Sequence, residues 1–128
     1  MTGPLWIDER DVITMHDRML VLHGGASGLR DEGLLKSALA RPQNLAAYGD
    51  APDLVGMAAS YTAGIIKNHP FVDGNKRTGF VTGVLFLELN GYRFTATQEA
   101  AADMVLQLAA GKVSEGDYAM FLRDSVTS

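Results

Sequence analysis

The side chains best suited to chemistry crowd into eleven residues, Lys67-Asn68-His69-Pro70-Phe71-Val72-Asp73-Gly74-Asn75-Lys76-Arg77. Seven of the eleven are polar or charged, and their formal charge is +2 in a chain whose net charge is −4. The rest of the chain therefore carries −6. A basic cluster on an acidic chain points to a specific anion site more than to a general electrostatic surface. Gly74 lets the backbone turn with free N–H groups facing outward. Asn75-Lys76-Arg77 then opens a helix, whose first N–H groups lack intrahelical partners and whose dipole end is positive. Such an end cradles phosphate. Lys76 and Arg77 add full charges, the second as a bidentate fork. Asp73, just ahead of the cradle, would repel a phosphate unless a cation lay between them, and Mg²⁺ is the usual bridge. Pro70 and Gly74 interrupt any regular helix between His69 and Asp73, so an i,i+4 zinc pair is not expected. A His beside a phosphate–Mg²⁺ site is a natural general base for an attacking hydroxyl. The residues alone thus reach a Mg-nucleotide site with a base. No G-x-x-x-x-G-K-[ST] is present, so this is not a P-loop. The glycine-rich loop and H-R-D/D-F-G set of protein kinases are also missing.

Helices must position this loop. Asp8 can cap a first helix with Val12, Ile13, Met15, Met19, Leu20 and Leu22 at spacings of three and four, stopping at Gly24-Gly25. The stretch Gly24-Gly25-Ala26-Ser27-Gly28 reads as a turn. Asp31 caps a short helix with Leu34, Leu35, Ala38 and Leu39 inside, which Pro42 is expected to close. Residues 43–50 then read as a loop or flap. A third helix, from residue 52 or 53 to 67, is apolar nearly all round and so predicted to be buried. A fourth, from about 75 to 89, is similar. Gly79 and Gly83, with Gly56 and Ala63-Gly64 on the third helix, suggest close approach of the two backbones. Asn90-Gly91 ends the fourth helix, and residues 92–95 are short and extended at most. Thr95 with Gln98 is read as the capping box of a fifth helix, and Ser114 with Asp117 as that of a sixth. The expected class is all-α, a compact single-domain helical bundle over residues 1–128, with two buried central helices joined by the charged loop.

Composition narrows the function classes. Hydrophobic residues make up 47% and charged residues 20%, as in a globular chain. The absence of cysteine excludes disulfides, Cys-ligated metal centres and a thiol nucleophile. An acidic chain disfavours direct nucleic-acid binding, which draws most of its affinity from phosphate neutralisation. No segment approaches the ~20 apolar residues of a membrane span, and residues 1–10 do not resemble a signal peptide. The expected location is the cytoplasm, with no membrane contact. His16 and His23 are assigned core or capping roles.

His69-Pro70-Phe71-Val72-Asp73-Gly74-Asn75-Lys76-Arg77 closely resembles the signature of the Fic/Doc superfamily, H-P-F-x-[DE]-[GA]-N-x-R. Flanking patterns are similar to the Doc (death-on-curing) toxin branch: Met15-His16-Asp17, Gly24-Gly25 through Gly28-Leu29-Arg30-Asp31, the stretch from Leu34 to Pro42, and Asn90-Gly91-Tyr92. The resemblance implies a compact α-helical fold whose loop and following helix bind ATP and Mg²⁺. It implies His69 as general base on a target hydroxyl, Asp73 as Mg²⁺ ligand, and Phe71 as the buried anchor of the loop. Gly74, Asn75 and Lys76 would form the anion hole, and Arg77 would hold a phosphate.

One departure bears on the chemistry. AMP-transferring Fic enzymes usually carry a second Gly where Lys76 stands, and that Gly leaves room for a second phosphate subsite. Doc-branch sequences share Asn-Lys-Arg and resemble protein kinases, with the γ-phosphate at the attacking hydroxyl. The resemblance therefore implies the toxin of a type II toxin-antitoxin system, which phosphorylates a Ser/Thr hydroxyl of a translation factor of the elongation factor Tu class and arrests growth. Its partner would be an antitoxin whose C-terminal segment covers the groove. Two alternatives stay open: a protein AMP-transferase, and a catalytically silent domain that binds nucleotide or a partner. Lys67 stands where Doc-like sequences often have Arg just ahead of the His, and is a candidate nucleotide contact. Thr95 to Glu99 fits the self-inhibitory [ST]-x-x-x-E-[GN] pattern except at Ala100, so inhibition is expected in trans, from a minimal toxin lacking its own inhibitory domain. Residues 41–50 are the family-based candidate for a target flap.

Overall fold

The computed structural model describes residues 3–49 and 53–128. Among these, six helices account for nearly all regular structure: α1 Glu9–His23, α2 Glu32–Tyr48, α3 Leu54–Asn68, α4 Asn75–Leu89, α5 Gln98–Ala109 and α6 Glu115–Asp124. The class is all-α, with one minor addition. Arg93–Phe94 (β1) pairs antiparallel with Val126–Thr127 (β2), which ties the chain after α4 to the end of α6.

The helix starts follow local chemistry. Asp8 and Asp11 form a reciprocal capping box on α1, and Ser114 and Asp117 do the same on α6. Asp31 and Asp53 cap α2 and α3 through their side chains. The α5 cap is Thr97, which accepts from the Ala100 N–H, and not Thr95. Thr95 instead donates its hydroxyl and its amide to the Ser125 carbonyl, at 2.9 and 2.7 Å, as the β1–β2 ladder runs on. Strand pairing thus competes with capping for this Thr, and wins.

Two further expectations need correction. Pro42 does not close α2: the helix runs six residues past it, to Tyr48. A proline inside a helix forfeits one backbone bond, but Pro42 is buried with Leu35, Ala38 and Leu39, and that burial offsets the loss. Residues 43–48 are therefore helix. Asp50 and Pro52, read as part of a turn and as a possible helix start, lie outside the described residues. On α1, Leu22 is exposed; the buried positions are Val12 and His16.

The core sits around α3 and α4. All ten residues from Val55 to Ile65 other than Gly56 are buried, so α3 is the central helix. Its Tyr61 stacks obliquely on Phe86 of α4, and α2, α5 and α6 pack around the pair. The face that α4 turns inward is small and polar as well as apolar: Thr78, Gly79, Thr82, Gly83, Phe86 and Leu87. A Cβ on Gly79 would lie 3.0 Å from the Thr62 carbonyl, and one on Gly83 would lie 2.9 Å from the Ala58 carbonyl and overlap the Thr62 hydroxyl. These two glycines therefore set the α3–α4 spacing. Gly64 serves a different contact, with Arg41 and Ala38 of α2.

Candidate active site

Residues 69–74 connect the two central helices, and the local chain dictates their shape. The α3 helix ends at His69, which adopts the left-handed conformation (φ 52°, ψ 54°). That region costs about 1–2 kcal/mol for a residue with a Cβ, so neighbouring contacts must hold it. The Arg30 guanidinium donates from Nε to the His69 carbonyl at 2.7 Å and from Nη2 to the Asn68 carbonyl at 3.0 Å. The amides of Arg30 and Asp31 both donate to the Pro70 carbonyl, and the Val72 amide donates to Gly28. The segment after α1, expected to be a plain turn, thus forms a short brace along the loop, bridged at Leu29 and Phe71.

Phe71 is buried and fixes the middle of the loop. The Asn75 side chain accepts from the Phe71 amide and donates to the Phe71 carbonyl, both at 2.9 Å. His16, also buried, stacks on Phe71 with ring centroids 3.8 Å apart and planes 9° from parallel. Its Nε2 lies 2.7 Å from the Asp73 carbonyl. A carbonyl only accepts, so this nitrogen carries the proton and donates.

Beyond Phe71 the chain returns to solvent. Asp73 is exposed, and its two carboxylate oxygens accept from the amides of Gly74 (2.8 Å) and Ala26 (3.3 Å). Those bonds, Gly74's first and then Ala26's, hold the Asp73 carboxyl below the usual carboxylate range against a smaller opposing effect of burial. The neighbouring His16 and the charge of Lys76 assist. Gly25 must be glycine here, because a Cβ would lie 2.8 Å from the Asp73 carboxylate and φ is +121°.

Gly74, itself left-handed, starts α4, which has no side-chain cap, whereas each of the other five helices has one. The first helical N–H groups, at Asn75, Lys76 and Arg77, thus have no intrahelical acceptor. They open toward a cavity of about 370 Å³, lined by His69, Asp73, Gly74, Asn75, Lys76 and Arg77, with Ile66 and Ala109 adding apolar wall. An N-terminal helix end with two cationic side chains suits a phosphate chain. Among the described residues no three His, Asp or Glu side chains converge as a metal cage. A hard cation at the exposed Asp73 would complete its shell with phosphate oxygens and water, as Mg²⁺ does. The donor set fits Mg-nucleotide.

Residues 6–87 match the sequence profile of the Fic/DOC family. The chain belongs to this family. It is similar to "Protein kinase doc" of Escherichia phage P1, with 32% identity over 91% of this chain and 92% of that one. It is also similar to "Toxin Doc" of Mycolicibacterium smegmatis, with 36% identity over 81% of this chain and 80% of the other.

Within this Fic/DOC chain, most of the residues singled out from sequence meet at the cavity. Lys67 does not. It is exposed in the last turn of α3 and does not line the cavity, because Ile66 faces inward there and the Asn68 amide turns back to the Leu34 carbonyl. Two expected donors are already engaged: the Gly74 amide by Asp73 and the Asn75 side chain by Phe71. Three residues given no role in the site, His16, Ala26 and Arg30, turn out to hold it. Their only sequence signal was membership in patterns flanking the signature.

Proposed function

We propose that this chain is a Doc-type toxin acting as a protein kinase: it transfers the γ-phosphoryl group of Mg-ATP to a Ser or Thr hydroxyl of a translation factor of the elongation factor Tu class, and so arrests growth. The supporting observation is the single cavity shared by His69, Asp73 and the uncapped start of α4 with Lys76 and Arg77. His69 would accept the hydroxyl proton as the oxygen attacks the γ-phosphorus. The bond from the γ-phosphorus to its bridging oxygen breaks, and ADP leaves with that oxygen. Lys76, Arg77 and the first α4 amides would hold the phosphate oxygens in line, and positioning with charge neutralisation is most of what phosphoryl transfer needs. Mg²⁺, when bound, would neutralise charge between Asp73 and the phosphates.

Lys76 supports γ-phosphoryl over AMP transfer, because a lysine lines the cavity where AMP-transferring Fic enzymes usually have glycine. The name of the phage P1 relative agrees with this choice. The family's pairing with an antitoxin supports a partner that covers the groove and silences the chain in trans. Among the described residues no helix is long and apolar enough to cross a membrane.

The test is to incubate the protein with elongation factor Tu and ATP labelled at either the α- or the γ-phosphate. Label arriving from γ agrees with the proposal. Label arriving from α replaces it with AMP transfer, and no label on the factor in either reaction overturns the target class.

A further inference from the structure

We propose that Arg30 is the positioning residue of His69, fixing the orientation of the base from outside the cavity. The inference rests on the reading of His69 as general base and extends it to a residue the signature does not contain. Two peptide planes flank the His69 Cα, and their rotation about it defines φ and ψ. Arg30 holds the oxygen of each: Nη2 takes the Asn68 carbonyl at 3.0 Å and Nε takes the His69 carbonyl at 2.7 Å. The next peptide is held by the same segment, through the Arg30 and Asp31 amides on the Pro70 carbonyl at 2.7 and 3.0 Å. Three consecutive carbonyls are thus fixed by two consecutive residues.

The residue so held needs it. His69 is the only residue other than glycine with positive φ among the described residues. Released, it would drift toward right-handed or extended conformations, which are less strained. Either change swings the Cα–Cβ bond and carries the imidazole away from the cavity. The donor is also suited to the task, because a planar guanidinium presents its N–H groups to two acceptors in a fixed fork, whereas the three donors of an ammonium rotate on a flexible stem. The carbonyls at a helix C-terminus, where the dipole end is negative, favour a cation as partner.

Arg30→Met and Arg30→Lys test the assignment on the full chain. Three readouts are needed: steady-state transfer of the γ-phosphate, the melting temperature, and the amide-to-α-proton coupling and α-carbon shift of residue 69, which report its φ. For Arg30→Met, kcat should fall about 100-fold, the order expected from a misplacement of about 1 Å. KM for ATP should change less than about threefold, because the phosphate contacts lie on α4. Residue 69 should leave positive φ. Arg30→Lys should recover part of kcat. An Arg30 that only capped α3 would lower the melting temperature and leave kcat and φ at residue 69 unchanged, and that result overturns the proposal. If Arg30→Met does not fold, Arg30→Lys decides alone: kcat and φ equal to wild type overturn the assignment. A wild-type protein with no transfer activity sinks the proposed function instead, and φ of residue 69 in the variants still decides for or against Arg30.

Discussion

Replacing Asn75 with Ala separates two roles for one residue: donor to a bound phosphate, or brace of the loop. The Asn75 side chain is buried and makes both of its hydrogen bonds to the backbone of Phe71, itself 1% exposed. Alanine would leave a buried N–H and a buried carbonyl without partners. Each such orphan costs about 1–3 kcal/mol. Alanine's better helix propensity returns at most about 0.5 kcal/mol. The net loss is about 1.5–5.5 kcal/mol, and at about 3 °C per kcal/mol for a domain of this size the melting temperature should fall about 5–16 °C. The backbone N–H that Asn75 presents at the start of α4 survives the change. Affinity for Mg-ATP, measured by calorimetry below the new transition, should therefore weaken less than tenfold, or about 1.4 kcal/mol. An unchanged melting temperature with lost nucleotide binding would refute the bracing role and return the side chain to the anion site.

Three more perturbations probe other parts of the structure. Gly83→Ala should destabilise: propensity favours Ala by about 1 kcal/mol, but the new methyl meets the Ala58 carbonyl and the Thr62 hydroxyl, and such overpacking costs about 1–3 kcal/mol plus any shift of the helices. A higher urea midpoint for this variant would contradict the close α3–α4 approach. Burial pushes the Tyr118 phenol up to about 12, and the nearby Thr62 hydroxyl is committed to the Gly79 carbonyl. The unfolded phenol ionises first, so stability is full below about pH 10 and declines from there toward about pH 12. The Tyr118 hydroxyl makes no hydrogen bond among the described residues. Tyr118→Phe should thus match or exceed wild type at neutral pH and show a shallower alkaline decline in urea melts; equal alkaline slopes would argue against the burial. Asp73→Ala frees the Gly74 amide and removes a negative charge beside the cradle. Its affinity for ATP in chelator should rise while the gain from added Mg²⁺ shrinks, and an unchanged Mg²⁺ dependence rules out Asp73 as the metal ligand.

The sequence showed the cradle more clearly than its supports. Asp8, Asp31 and Ser114 announced three helix starts, because side-chain capping is local and nearly independent of tertiary context. The signature loop was legible for the same reason, since glycine, cations and a carboxylate in sequence define a phosphate-binding start of a helix. What escaped depended on distant partners. Pro42 looked like a terminator until its burial within α2 is considered. Thr95 looked like a cap until the C-terminal strand claimed it. Arg30 and His16 lie 39 and 57 residues from the backbone groups they hold. No spacing rule links such pairs; only the packing of α1 and its following turn onto the loop does. Lys67 is a different case: neighbours in sequence at a helix end lie about 100° apart around the axis, so proximity to His69 along the chain does not by itself put a residue in the cavity lining.

As the base for γ-phosphoryl transfer, His69 should matter for chemistry and contribute little to folding. Its side chain is exposed, and the hydrogen bonds of residue 69 are made by its backbone. The deciding measurement compares wild type and His69→Ala in the rate of γ-phosphate transfer to elongation factor Tu, with melting temperatures taken on the same samples. Transfer should fall at least about 100-fold in His69→Ala, within the range for loss of a general base, while the two melting temperatures agree closely. Transfer at the wild-type rate by a folded His69→Ala protein would contradict this role.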